Sequence, residues 1–306
     1  MERLYRVEHE TCYVHADRAT TSQHVACLRP RQLERQRVLW HELVVTPEPD
    51  TVDQRVDVFG NPVHYFEILS PYQELRVMSR SEVGVRSRET PVDPEASLPW
   101  DRFREMERYR AGAPFDPDIQ FAYASPYVTT GSELQVFARP SFPPGRPALL
   151  GAIDLMHRIH AEFRFDPGAT TVTTPVTRVL AERHGVCQDF AHLMIGCLRS
   201  LGVPARYVSG YLLTDPPPGQ PRLVGADASH AWVSMRDPQL GWVDLDPTND
   251  VLPDTRHVTT AWGRDYDDVS PLRGVVLGGQ HQALSVGVSV IPVGDTAGGS
   301  MATAPA

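Results

Sequence analysis

The sequence contains no lysine; all 29 of its basic residues are arginine. With abundant Ala, Gly and Pro alongside, this absence reads first as the codon bias of a high-GC genome. Cysteine is scarce too. Cys12, Cys27, Cys187 and Cys197 are too few for a disulfide framework in 306 residues. Positive charge is outweighed, leaving a net charge of -9, and binding nucleic-acid phosphates needs a basic footprint. The early arginines (Arg18, Arg29, Arg31, Arg35, Arg37) alternate with acidic residues and read as a solvated face. No apolar run reaches the roughly 18 residues of a membrane span, and the opening Met1 to Glu10 has no apolar signal region. No membrane partner is therefore expected, and a reducing cytoplasm is the expected compartment. What is present, 41% hydrophobic and 22% charged residues, is the composition of a globular protein of sufficient length for two domains.

Residues 1–95 read as a β-rich domain. Gln36 to Val45 and Gln73 to Arg86 alternate apolar and polar residues, and Val56 to Leu69 reads as strand, tight turn, strand around Phe59-Gly60-Asn61-Pro62. A proline- and charge-rich stretch from Glu89 to Pro99 marks a linker, followed by a short helix over Trp100 to Arg110. Residues 96–293 then form the core together with C-terminal strands, and 294–306 form a small-residue tail expected to be disordered. Within the core, Leu149 to Phe163 has a helical face. Thr174-Pro175 is an N-cap and N1 pair for a helix ending near Gly185 in a left-handed cap. A further helix runs from Cys187 to Leu201, where Gly202 and Pro204 stop it, with Cys187, Ala191, Met194, Ile195 and Leu198 on one stripe. Period-two strands follow at Ala205 to Leu213, His230 to Met235 and Gly241 to Leu245, and strands are expected again from Asp267 to Pro292. The fold class is α+β, helices packed on an antiparallel sheet after a β-rich N-terminal domain.

The most informative run is Arg-His-Gly-Val-Cys-Gln-Asp-Phe-Ala-His-Leu, residues 183–193. It sets Cys187 at the head of a helix, and the positive end of a helix favours a thiolate, the form in which sulfur attacks. A hairpin turn centred on Pro238 sets His230 opposite Asp246, with side chains on one face about 4.5–5.5 Å apart. A carboxylate there holds an imidazole in one tautomer and steadies its cation. A one-residue slip would break this pairing, and Asp244, on the same alternating face, is the competing partner. The backbone N–H of Cys187 is a natural oxyanion donor, with Gln188 a candidate for further help. Asp189, about 200° round the helix from Cys187, points away from it and complements the helix dipole.

Other chemistries fit less well. His184, Cys187, His192 and Cys197 share no helical face and contain no Cys-x-x-Cys pair, which argues against zinc. Asp265, Asp267 and Asp268 could attract calcium but lack the twelve-residue loop pattern and read as a solvated turn. His157 and His160 read as surface or packing residues. No cofactor is expected.

At four motifs the chain resembles the bacterial transglutaminase-like superfamily: Gly-Val-Cys-Gln-Asp-Phe-Ala-His (185–192), Pro-Ala-Arg-Tyr-Val-Ser-Gly-Tyr (204–211), His-Ala-Trp (230–232) and Gly-Trp-Val-Asp-Leu-Asp-Pro-Thr (241–248). The run from Gly263 to Gly274 looks like the same subgroup. Asp57-Val58-Phe59-Gly60-Asn61 and Leu28-Arg29-Pro30-Arg31 are similar to the β-rich region that accompanies it. The resemblance implies a papain-like transglutaminase core, with Cys187 as nucleophile, His230 as general base and acid, and Asp246 rather than Asp244 orienting the ring. It implies a cysteine-dependent enzyme of peptidase or amidohydrolase type acting on a peptide or protein amide through a thioester. Protein-glutamine amine transfer is the alternative, and a non-catalytic scaffold with the same fold is a further one. For the amine-transfer alternative, lack of lysine would leave the enzyme without an amine donor of its own. Gln188 stands where animal transglutaminases have tryptophan, so the likeness assigns neither cross-linking nor calcium activation.

Overall fold

A computed structural model of the chain describes residues 1–106, 112, 116–214 and 229–293. The tail beginning at 294 lies outside the described residues, as do residues 107–110 of the expected first helix.

One strand organises the N-terminal half. Strand β1, Glu2–Ala26, alternates buried and exposed positions through Tyr5, Val7, His9 and Thr11, the period of a half-buried strand. Its many His, Arg, Glu and Thr residues hide it from an apolar-pattern reading. The first part of β1 pairs with β5 (Tyr72–Arg86), and its end, from Ser22, pairs with β4 (Pro62–Ile68). Strands β2 (Gln36–Thr46) and β3 (Thr51–Val56) complete the order β2-β5-β1-β4-β3. The other edge of β1 takes β12 (Leu272–Gly278) and β13 (Gln282–Pro292), both antiparallel. The last strands, expected with the core, are thus bonded into the N-terminal sheet. Hydrogen-bonding partners hundreds of residues apart leave no mark on local periodicity.

The core follows. Helices α1 (Trp100–Met106), α2 (Ser132–Ala138), α3 (Ala148–Glu162), α4 (Val176–Glu182) and α5 (Cys187–Ser200) precede a four-stranded antiparallel sheet. Between them, β6 (Arg164–Phe165) and β7 (His184–Gly185) form a short parallel pair. The larger sheet has the order β10-β9-β8-β11, built from β8 (Ala205–Leu212), β9 (Ser229–Asp237), β10 (Gly241–Leu245) and β11 (His257–Gly263). Helix α6, Tyr266–Val269, lies where strand was expected from Asp267, because Asp265 caps it by accepting the Asp267 N–H at 3.0 Å.

Helix α5 is the centre of the core. Every residue from Asp189 to Arg199 is buried, so the expected apolar stripe is only one part of an enclosed helix. Ala231, Val233 and Met235 of β9 join the α5 residues in one hydrophobic cluster with Tyr207, Val243 and Leu245. The even-numbered residues of β9 therefore face the other side of the sheet.

Two carboxamides join the halves at the edge strand β11. Gln36 Nε2 donates to the Thr259 carbonyl and Gln36 Oε1 accepts the Thr259 N–H, both at 2.7 Å. Asn61 does the same for Trp262, donating to its carbonyl at 2.8 Å and accepting its N–H at 2.9 Å. Each side chain imitates a neighbouring strand and satisfies an edge that would otherwise be open. Arg31 adds its guanidinium 3.5 Å from the centre of the Trp262 ring. The turn that presents Asn61 needs Gly60 at φ 78°, in the left-handed region.

Two local expectations are corrected. The left-handed residue closing α4 is Arg183, at φ 58°, not Gly185. Gly185 is small for another reason: a Cβ there would lie 2.7 Å from Asp189 Oδ2. Helix α4 also starts one residue later than expected, with Pro175 at the N-cap.

Candidate active site

Cys187 occupies the first turn of α5, a position whose backbone N–H has no intrahelical acceptor. Asp189 folds back over this helix end, its Oδ2 accepting the Val186 N–H at 2.8 Å and the Thr170 hydroxyl at 2.6 Å. It thus serves the helix terminus, as its angular offset from Cys187 suggests. Burial pushes its pKa up, against the hydrogen bonds from Thr170 and Val186. Gln188 turns its amide outward to the Val172 carbonyl at 3.1 Å. Tyr207, fully enclosed, feels the charge of Cys187, and burial followed by that charge pushes its phenol well above its ordinary value.

His230 is the second residue of β9. Its Nε2 lies 2.7 Å from Asp246 Oδ2, and the Cys187 side chain is a second hydrogen-bonding partner of the ring. Burial disfavours the charged ring, yet the hydrogen bonds to Asp246 and Cys187 outweigh it and raise the pKa to about 10. Asp246 is fully buried. There too burial opposes charge, and the hydrogen bonds from His230 and His257, with the His230 charge, hold the carboxyl far below its ordinary range.

The hairpin that brings these groups together has a different register from the expected one. Gly241 pairs with Asp237, Asp244 with Ser234 and Leu245 with Val233. The loop is centred one residue later, on Gln239. Asp237 Oδ1 accepts the N–H groups of Gln239 and Leu240 at 2.7 and 2.9 Å, and Gly241 takes a left-handed φ of 73°, a three-residue hairpin loop. Every pair shifts by two, so Asp246 does not oppose His230. An even shift preserves the face, and Asp246, just past the end of β10, reaches His230 diagonally. Asp244 is left elsewhere, opposite Ser234.

Sequence reasoning missed two members of the cluster. His257 at the start of β11 places Nε2 3.1 Å from the same Asp246 oxygen, and Asn249 Nδ2 donates to it at 2.8 Å. Asp246 Oδ1 accepts the N–H groups of Thr248 and Asn249 at 3.0 and 3.2 Å. The Asp-Pro-Thr-Asn run signals a turn in which an acid accepts backbone N–H groups, but nothing local marks His257. The α3 histidines His157 and His160 pin this turn, the first bonding Asp250 and the second the Thr248 carbonyl.

Residues 5–84 match the bacterial transglutaminase-like N-terminal region, and residues 145–247 match the transglutaminase-like superfamily core. An uncharacterized protein of Mycobacterium tuberculosis is 40% identical over 299 residues, covering 94% of this chain and 92% of its own length. The chain belongs to the transglutaminase-like superfamily. A Pseudomonas aeruginosa protein-glutamine gamma-glutamyltransferase is 32% identical over 129 residues, 36% of this chain and 19% of that protein. A proposed cysteine protease from Cytophaga hutchinsonii has the same fold, with a TM-score of 0.72 at 18% identity over 99% of this chain and 95% of that one. No helix among the described residues of this superfamily member is long and apolar enough to cross a membrane.

His230, Asp246 and His257 have ligand atoms within 4.8 Å of one another, close enough to raise a metal as an alternative. The donor geometry favours protons. Both ring nitrogens and the Asn249 amide converge on one oxygen at hydrogen-bond distances, and an amide N–H aimed at a metal position would repel the ion. The residues of the rejected zinc set do not converge: Cys197 is in the core and His192 Nε2 accepts the Tyr266 N–H at 3.1 Å. In the acidic cluster, Asp265 Oδ2 accepts the Tyr127 N–H at 2.8 Å and Asp268 pairs with Arg264 at 2.9 Å.

Proposed function

We propose that this chain is a cysteine-dependent acyl-transfer enzyme that cleaves an amide or peptide bond through a thioester. One observation carries the reading: the His230 ring has both the Cys187 side chain and the Asp246 carboxylate as hydrogen-bonding partners, an arrangement that favours the imidazolium. The family membership supports it.

In the proposed cycle the thiol proton of Cys187 resides on His230, the Cys187 thiolate attacks the amide carbonyl carbon, and the Cys187 N–H at the head of α5 stabilises the oxyanion. Collapse breaks the C–N bond while His230 gives its proton to the leaving amine. A thioester remains. His230 then takes a proton from water, the resulting hydroxide attacks the thioester carbon, and the C–S bond breaks to release a carboxylic acid. Asp246 keeps the ring oriented throughout. The closed Gln188 to Val172 contact leaves the backbone N–H as the favoured oxyanion donor.

Amine transfer is the second reading, favoured by the likeness to the Pseudomonas gamma-glutamyltransferase. It uses the same three residues, with a primary amine replacing water. Glutamine-containing and isopeptide substrates, offered with and without a primary amine, separate the two. Ammonia release without amine incorporation is expected, and none of either from Cys187→Ala. Activity surviving in Cys187→Ala removes the mechanism, and incorporation matching ammonia release replaces hydrolysis by transfer. A fold-only scaffold is inert in both assays.

A further inference from the structure

Arg206 is a buried cation without a counter-ion. It lies on β8, keeps only 8% of its surface, and among the described residues makes no hydrogen bond or ion pair; its Nε is enclosed and unbonded. Two indole rings hold it, Trp242 with its centre 4.0 Å from the guanidinium carbon and Trp262 at 3.7 Å. Stacking fixes the plane of the guanidinium and offsets part of its lost hydration. It leaves the N–H edge, where a planar anion would bind, without an acceptor.

Arg206 lines a cavity of about 360 Å³ between the N-terminal sheet and the face of the four-stranded sheet turned away from α5. The volume lies within the roughly 300–1,000 Å³ of small-molecule sites. Asp244, the acid that the register leaves out of the His230 cluster, lines the same cavity. Its carboxylate accepts no hydrogen bond among the described residues, and its charge acts on Arg206 and on Arg88 at the cavity wall. Two more buried groups in the lining lack partners, Trp232 Nε1 and His257 Nδ1. Arg88 and exposed Glu34 also line the cavity without an ion pair among the described residues; Arg206 and Asp244 are its most enclosed unpaired cation and anion, and they do not reach each other as an ion pair.

We propose that this cavity binds a small zwitterion of the amino-acid or dipeptide class, its carboxylate on Arg206 and its ammonium on Asp244. The opposite charges of such a ligand match the separated charges of the lining, and aromatic walls accept its carbon skeleton. The proposal does not depend on the chemistry at Cys187, although His257 belongs both to this lining and to the Asp246 cluster.

The test uses the full chain carrying Cys187→Ala, so that no turnover intervenes. Tryptophan fluorescence reports directly, because Trp232, Trp242 and Trp262 line the cavity, and calorimetry confirms stoichiometry. The probes are glycylglycine and the twenty amino acids, with acetate and ethylamine as half-ligands. Saturable one-to-one binding of at least one zwitterion is expected. Acetate and ethylamine should bind about tenfold more weakly or worse, the loss of one charge-assisted contact. Arg206→Gln and Asp244→Asn should each weaken the zwitterion by a similar factor. If Arg206→Gln fails to fold, Asp244→Asn, at a half-buried position, carries the test alone. No saturable binding by any zwitterion overturns the proposal. So does acetate binding as tightly as the zwitterion with Asp244→Asn without effect, which would make this an oxyanion site only.

Discussion

Replacing Asp246 by asparagine changes one atom type at a point where five N–H groups converge. The carboxylate accepts from His230, His257 and the Asn249 side chain at Oδ2, and from two backbone N–H groups at Oδ1. An amide has one accepting end. Whichever way it turns, its own NH2 faces at least two donors in a fully buried site. Hydrogen bonds to charged groups contribute about 1.5–3 kcal/mol each, so two lost contacts cost roughly 3–6 kcal/mol, close to the roughly 3–5 kcal/mol of breaking a buried ion pair. The same change removes the main support of the imidazolium. Burial then dominates and the ring is expected neutral at pH 7. Urea unfolding gives the stability and the His230 ring resonance gives its charge state. A variant within about 0.5 kcal/mol of wild type, with His230 still protonated at pH 8, refutes the reasoning.

Three further outcomes follow from the same geometry. The His230–Asp246 pair ties stability to pH in both directions: the raised His230 contribution is full below its ordinary 6.5 and lost as pH rises through about 10, while the lowered Asp246 contribution is full above 3.8 and lost in acid. Urea midpoints across pH should therefore fall at both ends, the alkaline decline starting near 6.5 and levelling off above about 10, and midpoints that stay flat across that window count against the pair. Iodoacetamide should modify Cys187 well before Cys27 and Cys197, whose thiols burial pushes up, and His230→Ala should slow that reaction at least about tenfold; equal slow labelling of all three contradicts it. Gln36→Ala leaves the Thr259 N–H unpaired in a buried interface, while the Thr259 carbonyl keeps the Arg31 N–H at 3.1 Å, and should cost about 1–3 kcal/mol, measured by thermal unfolding, with a neutral effect denying that the two halves are joined there.

The legible parts were those with local chemistry. The strands β8, β9 and β10 announced themselves by period two, and α5 by its start at Cys187 and its stop at Gly202 and Pro204. Strand β1 did not, since its exposed face and part of its buried face are polar. Arg183 held the left-handed position that glycine was expected to take, where its guanidinium stacks on Phe137 and Phe163 at 4.8 and 4.7 Å. The hairpin was read two residues out of register because the side chain of Asp237, not proline, set the loop.

From the amino-acid order alone came the α+β class, the helix that presents Cys187, and the three residues Cys187, His230 and Asp246 as candidates. Only the tertiary structure decided that β12 and β13 return to β1, that His257 and Asn249 share the Asp246 oxygen, and that Arg206 and Asp244 face one cavity. The physical reason is distance along the chain. Periodicity and capping act within a few residues, whereas β1 meets β12 and β13, and Gln36 and Asn61 meet the edge of β11, from more than two hundred residues away.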